Sequence, residues 1–471
     1  MRECGSEESS CSSDASKHST SRMADVLSET AAPMSDSRLG PKGPPESVAP
    51  GPLGAELFPR LGPGLVTGAA DDDPSGVATY SQVGTQFGMA MLWTMVFSFP
   101  LMAATQEICA RLGRTTGVGI AENLRRHYPK ALSYCLIFLL CVANLFNLAA
   151  DISAMGAATG LVLGGPTQVY AVSFGLVSLA LQMFIPYRKY VQYLKWLTLA
   201  LFAYVAAAFV IHVPWGMALR NTVFPSLSWT SDYWMALVAV LGTTISPYLF
   251  FWQTSQEVEE IRLHHDQQPL KRRPAQALKH FRRIAFDTRV GMAFSNVVAF
   301  FIILTTAATL HASGAKSIGT AADAAKALQP IAGPWAFGLF ALGIVGTGLL
   351  AIPVLGGSVA YAVAETFRWP ASLETKPRHA TKFYATLAAA ILGAIVLNFL
   401  RIDPIRALYW SAIVNGIVAV PLMFLLMSMA TSRVVVGKFV LPVYFRIMGW
   451  IATIVMLAAC VGFLWFSVRG T

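Results

Sequence analysis

Charged residues are scarce in this chain. Only 13% of its 471 residues are Asp, Glu, Lys or Arg, against ~25% in an ordinary soluble domain. Hydrophobic residues reach 55%, and charge-free stretches long enough to cross a bilayer recur, which excludes a large soluble helical protein. Cysteine is sparse as well. Cys4 and Cys11 precede the apolar region, while Cys109, Cys135, Cys141 and Cys460 lie in or near apolar stretches. Their spacing suits neither a disulfide framework nor a zinc site, so they read as small buried side chains. The chain lacks a metal-binding His pair, a nucleophile elbow, a phosphate loop and a nucleotide-binding domain. No enzyme, resident cofactor or ATP-driven pump is therefore expected. The net charge of +10 comes without the interleaved basic and aromatic surface of a nucleic-acid binder.

What is present reads as an all-α polytopic membrane protein. Eleven spans are expected, at about 61–82, 88–110, 131–160, 168–186, 192–213, 233–259, 286–310, 331–364, 382–399, 405–430 and 440–467. The third and eighth are long enough to tilt or to extend beyond the hydrocarbon. Residues 1–55, rich in Ser, Pro, Gly, Ala and Asp, read as a disordered cytoplasmic tail, with no signal-peptide segment after the start. Basic clusters follow the even-numbered spans: Arg111 to Lys130, Arg188 to Lys195, Arg262 to Arg289, Arg368 to Lys382, and Arg433 with Lys438. The opposite side holds only Arg220, Lys316, Lys326, Arg401, Arg406 and Arg469. The positive-inside rule then puts the N-terminus in the cytoplasm and the C-terminus on the outer side, in what reads as a bacterial inner membrane. His264 and His265 fall in the longest inner loop and read as solvated. Trp215, Trp229, Tyr233, Trp234, Tyr409, Trp410 and Trp450 lie near span ends and read as interfacial anchors.

Two spans carry features that a membrane helix should avoid. The first contains Asp71-Asp72-Asp73-Pro74-Ser75-Gly76, and the sixth contains Gly242-Thr-Thr-Ile-Ser246-Pro247-Tyr248. Intramembrane carboxylates are costly and mark functional sites. Proline removes a backbone donor, so both helices should unwind there. Broken segments at the start of two five-span halves of opposite topology point to a transporter built on inverted repeats. The halves are read as 56–230 (spans one to five) and 231–430 (spans six to ten), with 431–471 holding the eleventh span.

Further residues carry a family resemblance. Leu61-Gly-Pro-Gly-Leu-Val runs into Asp73-Pro74-Ser75-Gly76. Ala110-Arg111-Leu112-Gly113 is followed by Thr116-Gly117 and Ile120-Ala121-Glu122, and Ala150-Asp151-Ile152 continues to Gly156-Ala157-Ala158. In this order, over roughly 56–466, they resemble the Nramp family of divalent-metal transporters. The resemblance implies a LeuT-like fold of five plus five inverted helices with an eleventh, working by alternating access. It assigns metal contact to Asp73 and to the Ser246 position in span six. This chain departs from the family pattern: Gly76 stands where the family has Asn, Ser246 where it has Met, Tyr248 where it has His, and Ala154 where its third helix has an acid. A thioether selects soft transition metals, whereas oxygen ligands suit Mg²⁺ with retained waters. The pattern is similar to the Nramp-related magnesium transporters, which implies movement of Mg²⁺, and of Mn²⁺, without coupled protons. Proton-coupled Mn²⁺/Fe²⁺ transport and cation-coupled organic-solute symport stand as alternatives.

Asp73 is the first candidate ligand, with Ser246, Asp72, Asp71, Thr244 and Tyr248 around it. If the chain is helical at Asp71 and Asp72, they lie about 100° apart and cannot share one ligand. One would then line a vestibule and the other cap a helix end. Asp151, Gln253, Glu257 and Asn415 are candidates for a polar network or permeation path. Asn144 and Asn147 share the face of Asp151, and Glu107 is placed to pair with Arg111. Glu257, Glu259 and Glu260 read equally well as a solvated helix end beside Arg262. Thr243 and Thr244 read equally well as back-bonded helix residues. The partners expected are divalent ions and the bilayer, with no nucleic acid, and the chain is expected to work as a monomer.

Overall fold

A computed structural model describes residues 63–187, 189, 197–264, 266–400 and 403–469. The expected tail, Cys4, Cys11 and His265 lie outside them. The described residues are helical and contain no strand. The first expected span is two helices, α1 (Pro63–Asp71) and α2 (Pro74–Phe87). Asp73 is the N-cap of α2: its Oδ1 accepts the Gly76 N–H at 2.7 Å, and Pro74 takes the first helical position. A carboxylate cap and a proline at N1 are the local signals that start a helix. The sixth expected span breaks in the same way, into α9 (Ser231–Thr244) and α10 (Pro247–Leu263), with Pro247 at N1.

The remaining long helices are α3 (Trp93–Thr116), α5 (Lys130–Leu163) and α6 (Thr167–Phe184), with α4 (Ile120–His127) between α3 and α5. After them come α7 (Phe202–Val210), α8 (Trp215–Val223), α11 (Ala277–Thr306), α12 (Ala336–Phe367), α13 (Thr381–Leu397), α14 (Pro404–Thr431) and α15 (Val443–Arg469). By length and apolarity eight helical segments can cross a membrane, or ten when two bent pairs each count as one. This is fewer than the eleven expected, and the difference has identifiable sources. The first span is interrupted. The chain turns by 109° between Met91 and Trp93, separating α2 from an α3 whose end is polar. The fifth span falls partly outside the described residues, and what remains bends by 120° into α8. The helix following the long inner loop begins at Ala277, well before the expected 286.

Glycine sets two of the helix contacts that carry the centre. α1 packs on α11, and a methyl group added at Gly68 would overlap the Gly291 carbonyl. α9 packs on α14, where a methyl at Gly242 would overlap the Ala412 carbonyl and lie 2.6 Å from the Gly416 nitrogen. Small residues let membrane helices approach backbone to backbone, where dispersion rather than hydrophobic exclusion holds them. Gly416, the neighbour of Asn415, therefore acts through packing. Gly68→Ala should destabilise the protein by ~1–3 kcal/mol, as overpacking does. Gly338→Ala should be neutral, because nothing lies within 4 Å of an added methyl there. Apparent melting temperatures of the two purified variants provide the comparison.

Candidate metal centre

Asp73 sits at the gap between α1 and α2 and is 2% exposed. Its carboxylate gathers three elements. Oδ1 accepts the α2 N–H of Gly76, and Oδ2 accepts Asn147 Nδ2 from α5 and the Tyr248 hydroxyl from α10, both at 3.1 Å. The network continues outward. The Ser411 hydroxyl of α14 lies 2.7 Å from Asn147 Oδ1 and 3.2 Å from Ser75 Oγ, and Ser75 donates to the Leu408 carbonyl at 3.0 Å. Asn147 was expected to join a polar network and does. Ser75 and Ser411 were missed: serine in an apolar span carries no pattern of its own, although Ser75 directly follows Pro74.

Asp71 and Asp72 behave differently from the helical expectation. The last residue of α1 is Asp71, so Asp72 leaves the helical path. Both then reach Ser295 on α11, Asp71 Oδ2 at 2.5 Å and Asp72 Oδ1 at 3.0 Å from its hydroxyl. They share one contact, and the capping role falls to Asp73. Both are buried, at 1% and 0% exposed. Asp71 Oδ1 and Asp72 Oδ2 find no hydrogen-bond partner among the described residues. Asp151 is also fully buried; the Ser75 backbone N–H faces it, and no side chain donates to it among the described residues.

On the α9–α10 side, Ser246 is the N-cap by position but its side chain does not cap α10. Its hydroxyl turns back to the Thr243 carbonyl at 2.6 Å and the Gly242 carbonyl at 2.8 Å. Its oxygen keeps lone pairs, while its proton is committed to the end of α9. Thr244 back-bonds to the Val240 carbonyl at 3.0 Å, and Thr243 to the same carbonyl at 2.9 Å while contacting the Tyr80 hydroxyl. Tyr248 is the span-six side chain that hydrogen-bonds Asp73, and it also points at the Ala70 carbonyl at 3.4 Å.

Gln253 ties α10 to α1 through Thr67, at 2.5 Å. Asn415 is buried, and its Oδ1 has no hydrogen-bond partner among the described residues; no hydrogen bond brings it to Asp73. Glu257 is no solvated helix end. It is fully buried and pairs with Arg283 at 2.6 Å and with Arg114 at 4.0 Å. Arg114, itself 0% exposed, also reaches His280 and Gln267. Glu107 pairs with Arg111 at 2.7 Å, as expected from the four-residue spacing, and also with Arg289 at 3.4 Å. Glu259 is buried against Tyr361 and Ser372 rather than solvated, and His264 is half-buried beside Glu260. Cys109 and Cys460 are buried, whereas Cys135 is exposed and Cys141 half-buried.

Every central candidate from Asp71 to Tyr248 is at most 3% exposed, so the centre is closed to solvent. Among the described residues no three His, Cys, Asp or Glu side chains converge into a metal cluster. The chemistry on offer is oxygen: carboxylates, hydroxyls and the carbonyls left free at two helix breaks.

Long apolar helices and two broken spans meeting at a buried carboxylate define an integral membrane protein of the secondary-transporter class. The natural resistance-associated macrophage protein-like (Nramp) family matches residues 64–466, and the chain belongs to that family of divalent-metal transporters. The Eremococcus coleocola manganese transporter, solved with an aromatic bis-isothiourea substituted compound, superposes with a TM-score of 0.68 at 18% identity over 90% of both chains. A mutant of the same transporter gives 0.66 at 17% identity over 88% of each. Mhp1, a nucleobase-cation-symport-1 family transporter in a closed conformation with bromovinylhydantoin bound, gives 0.52 at 14% identity over 87% of this chain and 93% of its own. The fold is thus LeuT-like, as the resemblance implied.

Two substitutions probe what holds the closed centre. Tyr248→Phe removes one donor from a buried carboxylate and should cost ~1.5–3 kcal/mol. Glu257→Ala strands Arg114 and Arg283 and should cost more, ~3–5 kcal/mol. Denaturation of purified variants that gave the opposite order would refute the ion pair as the stronger tie.

Proposed function

We propose that the protein moves hard divalent cations, chiefly Mg²⁺ and also Mn²⁺, by alternating access and without a compulsory proton. The observation that carries this reading is the setting of Asp73. It lies at the gap between α1 and α2, and its side-chain partners are an amide and a phenol, with no sulfur among them. A cation entering here meets oxygen donors, the set that suits Mg²⁺ and Mn²⁺ over softer metals. Magnesium keeps several waters and takes few carboxylates. Ser246, Thr244, Asp71 and Asp72 are the further oxygen donors proposed for the open states. Asn147 and Tyr248 would release Asp73 as the cation takes their place.

The uncoupled mechanism rests on Tyr248 and Ala154. The phenol donates to Asp73 and has a reference pKa of ~10, so it does not exchange protons as a histidine would. Asp151, buried near the centre, favours the coupled alternative and makes the test worthwhile. The orientation proposed is the one set by the basic loops, N-terminus inside, in a bacterial inner membrane.

Three experiments follow, all on purified protein in liposomes at a clamped potential. Mg²⁺ entry should fall at least ~tenfold in Asp73→Ala, the scale of ~1.4 kcal/mol of lost stabilisation; undiminished flux in folded variant protein would remove Asp73 from the site. Ser246→Met should raise Mn²⁺ flux relative to Mg²⁺. In the parent protein, cation entry should proceed without matching internal acidification. Uphill accumulation driven by a proton gradient alone would instead establish coupling.

A further inference from the structure

The basic end of the molecule carries a cleft that metal transport does not use. From Pro404 to Thr471 the chain contains no Asp or Glu, so Arg433, Lys438 and Arg446 have no carboxylate on their own segment. A cavity of about 230 Å³ lies where this segment meets the end of α3. Arg111, Lys438 and Thr115 contribute its polar lining, and Leu112, Phe281 and Leu441 are among its apolar walls. Lys438 also lines a second, more open cavity of about 440 Å³ with Arg433.

Of the cations there, Arg111 has a carboxylate beside it, Glu107, whereas Lys438 and Arg433 have none among the described residues. Arg111 is clamped between the rings of Phe281 and Phe445, 4.5 and 4.3 Å from their centroids. It spends Nε and Nη2 on Glu107, an acid that also serves Arg289. Among the described residues Nη1 has no hydrogen-bond acceptor. Lys271 reaches in from the long inner loop, its Nζ donating to the Val435 carbonyl at 2.8 Å. Lys438 and Arg433 have no ion-pair partner among the described residues. Next to the cleft, α15 begins with Val443, Tyr444 and Ile447, all at least 50% exposed; on a membrane helix these face lipid. The cleft thus joins uncompensated positive charge to an apolar wall that continues onto a lipid-facing helix. That pairing suits an amphiphile with an anionic head, and basic pockets at the cytoplasmic ends of membrane helices bind such lipids.

We propose that this cleft, between α3, the inner loop and the start of α15, holds an anionic phospholipid of the inner leaflet. The phosphate lies among Arg111, Lys438 and Arg433, and the acyl chains run along Leu441 and α15. The test uses full-length protein in nanodiscs of phosphatidylcholine with a minority of phosphatidylglycerol, followed by gentle detergent extraction and native mass spectrometry of retained lipid. The parent protein should retain phosphatidylglycerol over phosphatidylcholine. The double variant Arg433→Gln/Lys438→Gln should retain it roughly thirtyfold less, the scale of two lost surface cations, with its melting temperature in pure detergent unchanged because both residues are exposed. Lys438→Arg should keep retention. Arg220→Gln/Arg469→Gln, away from the cleft, should leave it unaltered. Equal retention by parent and double variant, or an equal loss in the Arg220/Arg469 variant, would overturn the site. Displacement of the lipid by millimolar inorganic phosphate would show a free-anion site and overturn the lipid assignment.

Discussion

The structure depends on how one buried carboxylate is kept in a membrane-spanning helix. Asp73 can lie at this depth because the helix stops there. The free N–H groups at the start of α2 face it, and Gly76 supplies the closest. An N-terminal helix dipole and direct donors together offset much of the cost of removing a charge from water. Asn147 and Tyr248 supply the rest from two other helices. The same bonds that stabilise Asp73 therefore join the first span to the third and the sixth, and a cation that competes for its oxygens competes with the fold.

In the closed state the centre is held by contacts of two kinds. Backbone approach at Gly68 against α11 and at Gly242 against α14 is short-ranged and tolerates no added volume. The Arg114–Glu257–Arg283 group on the basic side is electrostatic, with Arg114 and Glu257 buried and Arg283 half-buried.

The departures from the family pattern keep their meaning in three dimensions only in part. Tyr248 takes up a definite contact with Asp73. Ser246 instead turns its proton toward the end of α9; a hydroxyl followed by proline can satisfy the carbonyls that the break leaves free. The reading of span six therefore found the right segment and gave its two side chains different shares of the work.

Local patterns determined much about this protein. Apolar length and scarce charge specified membrane helices, proline beside acid or hydroxyl located both breaks, and the basic clusters set the orientation proposed for it. The i,i+4 spacing of Glu107 and Arg111 was legible because a helix imposes it. The tertiary structure alone decided which distant groups converge. Ser295 stands between Asp71 and Asp72 from 223 positions or more away along the chain, and Ser411 reaches the Asp73 network through Asn147. Glu257, a permeation-path candidate, and Arg114 and Arg283, read as loop-side charge, form one ion-pair group whose Arg114 and Glu257 are buried. None of these has a local signature, because a serine or an arginine looks the same in sequence whether it faces water or a carboxylate. Only the packing of α1 on α11, of α5 on α14, and of α10 and α11 on α3 brings those partners within bonding distance, and it is packing over long separations that short-range periodicity does not encode.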